Sequence, residues 1–163
     1  MKRLGMVFVV STAILMIASG VAFAKTLYGN NNDNSIYGTR YADTIYGYGG
    51  WDYLYGRDGG DRLAGMDGWD DLYGQGGNDG LWGGNGHDWM EGGPGSDWLY
   101  GEAQSDDLYG GSGNDGFVGG DGDDWITADD GYYDDINCGP GYDTVDADYE
   151  DKVGSNCEDV WRW

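Results

Sequence analysis

Asp43, Asp52, Asp61, Asp70, Asp79, Asp88, Asp97, Asp106, Asp115 and Asp124 stand nine residues apart without a slip. A file of carboxylates can work as acids and bases or as oxygen ligands for a hard cation, and the residues between them favour the second role. Gly38, Gly47, Gly56, Gly65, Gly74, Gly83, Gly92, Gly101, Gly110 and Gly119 precede each acid by five residues, and Gly29 stands in the same relation to Asn34. Gly50, Gly59, Gly68, Gly77, Gly86, Gly95, Gly113 and Gly122 form a second column two residues ahead of their acids. Glycine admits positive φ, so a turn holding two of them can curl until its carbonyl oxygens share a centre with a carboxylate. Ca²⁺ takes six to eight oxygen ligands in flexible geometry, which is the set such turns offer. The candidate ligands are therefore the ten aspartate side chains together with turn carbonyls near Gly56, Gly65, Gly74, Gly77, Gly83, Gly86, Gly92, Gly95, Gly110 and Gly113.

A file of this kind needs an element that repeats with it. Two residues after each acid comes Ile45, Leu54, Leu63, Leu72, Leu81, Met90, Leu99, Leu108, Phe117 or Ile126, one apolar anchor per nonad. Written out, the unit is GGxGxDxUx, as in Gly110-Gly111-Ser112-Gly113-Asn114-Asp115-Gly116-Phe117-Val118 and, in part, Gly76-Gly77-Asn78-Asp79-Gly80-Leu81. It resembles the RTX, or hemolysin-type, calcium-binding nonapeptide repeat over about residues 26 to 147. The resemblance implies an all-β fold, a parallel β-roll or two-sheet solenoid. Each repeat would give a six-residue turn and a short strand, two repeats would make an 18-residue coil, and several Ca²⁺ ions would lie between successive turns.

Coils of 18 residues stacked at the strand spacing of roughly 4.8 Å sort the acids into two edges. One carries Asp43, Asp61, Asp79, Asp97 and Asp115, the other Asn34, Asp52, Asp70, Asp88, Asp106 and Asp124. The alternative is a metal-free solenoid in which Asp and Gly only make tight turns. Carboxylates about 5 Å apart repel by roughly 3 kcal/mol per neighbouring pair at an effective dielectric near 20, more than an Asx turn returns, and a divalent cation reverses the sign. Each neighbouring pair can then clamp one ion, so that Asp79 or Asp88 would serve two sites and Asp124 would end its row. A core of one apolar residue per nonad is thin, which makes folding coupled to calcium the expectation.

The chain has 163 residues, 34 of them glycine, and 30 acidic against 8 basic residues, for a formal net charge of −22. That balance argues against nucleic acid or an anionic membrane surface as partner. Residues 1–24 read as a secretory signal peptide, with Lys2 and Arg3 at its start, an apolar run from Met6 to Ile17 and Ala22-Phe23-Ala24 as a cleavage site. The organisation expected is signal peptide 1–24, calcium-binding roll 25–137 and capping segment 138–163, with no membrane span after cleavage and an extracellular destination.

Gly29–Asn34, Gly38–Asp43 and Gly101–Asp106 lack the inner glycine, so those turns are expected to bind ions poorly. After Asp124 one extra residue shifts the next acids to Asp134 and Asp143. Cys138 and Cys157, an even pair in an exported chain, point to a disulfide; with no histidine near them they make a poor metal site. The segment from Cys138 to Val145 and on to Asn156-Cys157-Glu158-Asp159-Val160 resembles the tail of small secreted bacterial members of the family. Val153, Val160, Trp161 and Trp163 would cover the open end of the roll.

Residues flanking the anchor should point outward. Tyr28, Tyr46, Trp82 and Tyr100 fall on one sheet, Tyr37, Tyr55, Tyr73 and Tyr109 on the other, with Tyr53, Trp89 and Trp125 as a second file beside the latter. Stacking between like rings on adjacent strands accounts for such files; a binding face for polysaccharide, cell wall or a surface protein is the alternative. No catalytic constellation emerges. His87, the sole histidine, sits at the variable fifth position of a turn, and every acid of the array is already explained by its column. The expectation is a calcium-binding protein that is not an enzyme.

Overall fold

A computed structural model describes residues 23–163; the leader-like stretch falls outside the described residues except for its last two. Among the described residues there are sixteen strands and no helix. The odd-numbered strands are β1 (Thr26–Asn30), β3 (Thr44–Gly50), β5 (Arg62–Gly68), β7 (Gly80–Asn85), β9 (Trp98–Ala103), β11 (Gly116–Asp121), β13 (Asp135–Asn137) and β15 (Lys152–Val153). The even-numbered ones are β2 (Ser35–Tyr37), β4 (Tyr53–Asp58), β6 (Asp71–Gly76), β8 (Trp89–Pro94), β10 (Asp107–Ser112), β12 (Trp125–Ala128), β14 (Thr144–Ala147) and β16 (Asp159–Arg162). Odd strands pair in sequence order in one eight-stranded sheet, even strands in the other. Every pairing is parallel, and the register is two nonads: Leu63 lies beside Leu81, and Leu54 beside Leu72. The expected two-sheet parallel solenoid with 18-residue coils is the fold observed.

Strand alternation explains the interior. Acid, anchor and the first glycine of the next nonad are i, i+2 and i+4, so all three face inward while the residues between them face out. The anchors from Ile36 to Ile126, with Ile136 and Val145, form one continuous core file, each essentially without solvent contact. Burying a side chain of this size contributes about 1.5–3 kcal/mol. At the C-terminal end Ala128, Cys138 and Ala147 join that core.

The last coils change length. Phe117 pairs with Ile136 and Ile126 with Val145 across 19 residues, whereas Ile136 pairs with Val153 across 17 and Val145 with Val160 across 15. Both ladders thus continue past Asn137, and the tail is built as coil. Val153 and Val160 pack on the core as expected, but Trp161 and Trp163 do not cover the end. Alternation along β16 turns Val160 inward and Trp161 outward, where its indole Nε1 donates to Asp159 Oδ1 at 2.9 Å.

Cys138 and Cys157 form a disulfide with Cα atoms 5.4 Å apart. Closing a loop of this span stabilises by about 3 kcal/mol. Reduction is therefore expected to release the last strand, β16, first and to leave the central coils folded. Hydrogen exchange with and without reductant checks this, and uniform loss of protection along the chain would contradict it.

Candidate metal centre

The aspartates of the array are buried, none more than 4% exposed, because alternation places them on the same side as the anchors. On the first edge the amide of Asp43 donates to Asp61 Oδ1 at 2.6 Å, that of Asp61 to Asp79 at 2.7 Å, Asp79 to Asp97 at 2.7 Å and Asp97 to Asp115 at 2.8 Å. The second edge runs the same way from Asn34 through Asp52, Asp70, Asp88 and Asp106 to Asp124. The structure therefore brings all ten sequence-derived acids together in the two files expected, five to each edge.

Both files run further than the nine-residue period shows. Asp115 donates to Asp134, which donates to Asp151; Asp124 donates to Asp143, which donates to Glu158 Oε2 at 3.0 Å. Asp124 is thus an interior member. The shorter final coils put Asp151 and Glu158 out of phase in sequence, so the spacing could not find them.

One oxygen of each carboxylate is used in this ladder; the other is not. Oδ2 of Asp52, Asp61, Asp70, Asp79, Asp88, Asp97, Asp106, Asp115, Asp124, Asp134 and Asp143 is buried without a hydrogen-bond donor. Asp43 differs, because the amide of Thr39 donates to its Oδ2 at 2.5 Å. The Gly38–Asp43 turn thus satisfies both oxygens of its acid within the chain. The Gly101–Asp106 turn, in contrast, keeps the regular shape without its inner glycine: Glu102 and Gln104 both take φ of 75°.

The two glycine columns do different things. Inner glycines such as Gly77, with φ of 139°, have the backbone that curls the turn, and a Cβ there would run into the Gly59 carbonyl of the previous coil. The outer glycines provide room instead. A Cβ on Gly74 would lie 2.6 Å from Asp79 Oδ2 and 2.6 Å from the Gly92 carbonyl oxygen, so the carboxylate fits only against a bare Cα. Positive φ recurs one residue after the outer column, where Tyr48, Arg57, Met66 and Gln75 adopt it as well as Gly84, Gly93 and Gly111. Ordinary side chains at that position hide the requirement from a reading of sequence.

Burial governs the charge state. Desolvation raises the carboxyls of Asp52, Asp61, Asp88, Asp115 and Asp124 to about 6, those of Asp70, Asp97 and Asp134 to about 7 and that of Asp106 to about 9, against the lowering effect of the amide each accepts. Neighbouring acids of the same file raise Asp70 and Asp97 further. A buried carboxylate with a donor-less oxygen needs a proton or a cation. Among the described residues no three acidic, histidine or cysteine side chains gather in a cage. An ion here would take one or two carboxylates and complete its shell from main-chain carbonyls, a hard oxygen set suited to Ca²⁺.

Two stacked files of buried acids along a parallel two-sheet coil define a calcium-binding β-roll. Four copies of the RTX calcium-binding nonapeptide repeat match the sequence, over residues 28–63, 54–81, 82–117 and 117–132, and the chain belongs to that family. Its repeats bind Ca²⁺, several ions per protein, and its members are typically bacterial and extracellular or secreted. No curated protein matches the chain. Among the described residues no helix is long and apolar enough to cross a membrane.

The outward files are stacked as well. Tyr37, Tyr55 and Tyr73 lie face to face at 4.7 and 5.0 Å, Tyr28 on Tyr46 at 5.5 Å and Trp82 on Tyr100 at 5.4 Å. Ala64 and Glu91 interrupt the two rows, and Tyr109 stacks on Trp89 at 4.3 Å. Tyr53, Trp89 and Trp125 share the second file, where Asp71 and Asp107 alternate with them.

Proposed function

We propose that this chain is an exported, non-enzymatic protein whose two acid files take up several calcium ions and whose coil forms only when they do. The observation that carries the reading is the row of buried Oδ2 atoms without donors. Each neighbouring pair along a file would clamp one ion, with carbonyls of the turns near Gly56, Gly65, Gly74, Gly77, Gly83, Gly86, Gly92, Gly95, Gly110 and Gly113 completing the shell. Residues 1–24 would be removed on export, residues 25–137 would hold the ions, and 138–163 would close the end. Export would place the roll where calcium is plentiful, so sites with Kd of roughly 10⁻⁴ to 10⁻³ M would suffice. A site held at 100 times its Kd adds about 2.7 kcal/mol to the folded state.

Circular dichroism in excess EGTA at neutral pH is expected to lose its β signal and to regain it on adding calcium; an unchanged spectrum removes the folding dependence. Native mass spectrometry separates the sites. Asp79→Asn, at an acid serving two pairs, is expected to lose about two ions and Glu158→Gln about one, while Asp43→Asn, whose Oδ2 already has a donor, is expected to lose the least. Equal loss in all three variants would remove the assignment of ions to the files. The polysaccharide-binding alternative gains nothing specific from the aromatic rows, whose rings largely satisfy one another.

A further inference from the structure

Outside the acid files, where the turns meet the even-numbered sheet, a depression of about 110 Å³ opens between three tryptophans. Trp51, Trp69 and His87 occupy the fifth position of three successive turns and stand 18 residues apart. Beside them, Asp71, Trp89 and Asp107 lie on neighbouring strands β6, β8 and β10 and pair rung to rung. Trp51 Nε1 donates to Asp71 Oδ2 at 3.3 Å, the rings of His87 and Trp69 meet in a T-shaped arrangement with centroids 6.2 Å apart, and His87 Nε2 is 3.8 Å from Asp107 Oδ2. Asp88, an acid of the adjoining file, lies at the floor of the same depression. Trp69 is left 61% exposed.

This lining has one chemical character. Indole rings and carboxylates line the space, and no lysine or arginine does. A cation is drawn by aromatic rings and negative charge together, and this lining supplies both. The space is below the usual range of about 300–1,000 Å³ for sites that take drug-sized ligands, so it suits a single head group.

We propose that Trp51, Trp69 and Trp89, with Asp71 and Asp107, form a binding site for an organic ammonium group, supplied by a small quaternary amine or by a lysine side chain. None of these five residues belongs to the acid files, although Asp88 of a file adjoins them, and the test separates the two readings because the β spectrum reports the roll and tryptophan emission reports the site.

The calcium-saturated full chain is titrated at constant ionic strength with choline, with Nα-acetyl-lysine amide, and with 3,3-dimethylbutan-1-ol as the neutral isostere of choline. Saturable change in tryptophan emission is expected with at least one of the two cations, the stronger of them naming the source, and none with the alcohol. Affinity is expected to fall roughly tenfold in Trp69→Leu and in Asp71→Asn, both with an unchanged β spectrum. Equal response to the alcohol, no response to either cation, or undiminished affinity in both variants overturns the site.

Discussion

Freed of divalent ions on a chelating resin, the chain is expected to lose β structure as pH rises from about 4 to about 9, and in excess calcium to gain it over the same interval. The sign follows from the buried carboxyls. Their folded-state pKa values lie above the unfolded ones, at about 6 for Asp52 and Asp124, about 7 for Asp70 and Asp97 and about 9 for Asp106. Such groups support the metal-free fold fully below the ordinary carboxylate pKa, and that support is lost as pH climbs through the folded values. A group raised by two units costs on the order of 3 kcal/mol once ionised, so a handful of them exceeds the 5–15 kcal/mol that holds a typical domain together. Calcium reverses the slope because it binds the ionised form, and acid expels it. Circular dichroism across this range, with light scattering to detect precipitation near the pI of 4.1, gives the result. Parallel slopes with and without calcium would refute the account.

Adjacent glycines should respond very differently to the same methyl group. Gly77→Ala places a Cβ against the Gly59 carbonyl on a backbone with φ of 139°, and neither the peptide nor the coil above it can give way without breaking rungs. Overlap and backbone strain together are expected to cost at least about 3 kcal/mol, lowering Tm by roughly 6–12 °C for a chain of this size. Gly76→Ala meets nothing nearer than 3.7 Å and should stay within about 0.5 kcal/mol of the parent. Thermal unfolding of both variants in saturating calcium is the measurement. Matching Tm values would mean that the inner column does not set the stacking of the turns.

Much of the roll can be read from its period. A strict nine-residue repeat marks the columns of acid and anchor, and the resemblance to the nonapeptide family implies the two-sheet coil that sets the 18-residue register and sorts the acids into two files. The inward aim of Asp79 was legible too: it stands two residues before Leu81, and strand alternation puts both on one face. Asp151 and Glu158 were not, since coils of 17 and 15 residues replace the period there. Nor was the division of labour between the glycine columns, because Arg57 and Gln75 occupy a positive-φ position without advertising it. The file of Tyr53, Trp89 and Trp125 follows from the same register: residues 36 apart are two rungs apart, and Asp71 and Asp107 fill the rungs between.

The carboxylate ladder has a direction. Every rung's amide hands its proton to an acid that lies later in the chain, from Lys25 into Asp43 at one end to Asp143 into Glu158 at the other. Shortening the protein from its C-terminus therefore strands the acid's amide in whichever rung becomes last, whereas shortening it from the N-terminus leaves the remaining acid amides paired and strands sheet amides such as that of Arg62, which donates back to the Asp43 carbonyl. During synthesis the acceptor for each acid's amide emerges a coil later than the amide, whereas a sheet amide such as Arg62's finds its carbonyl already made.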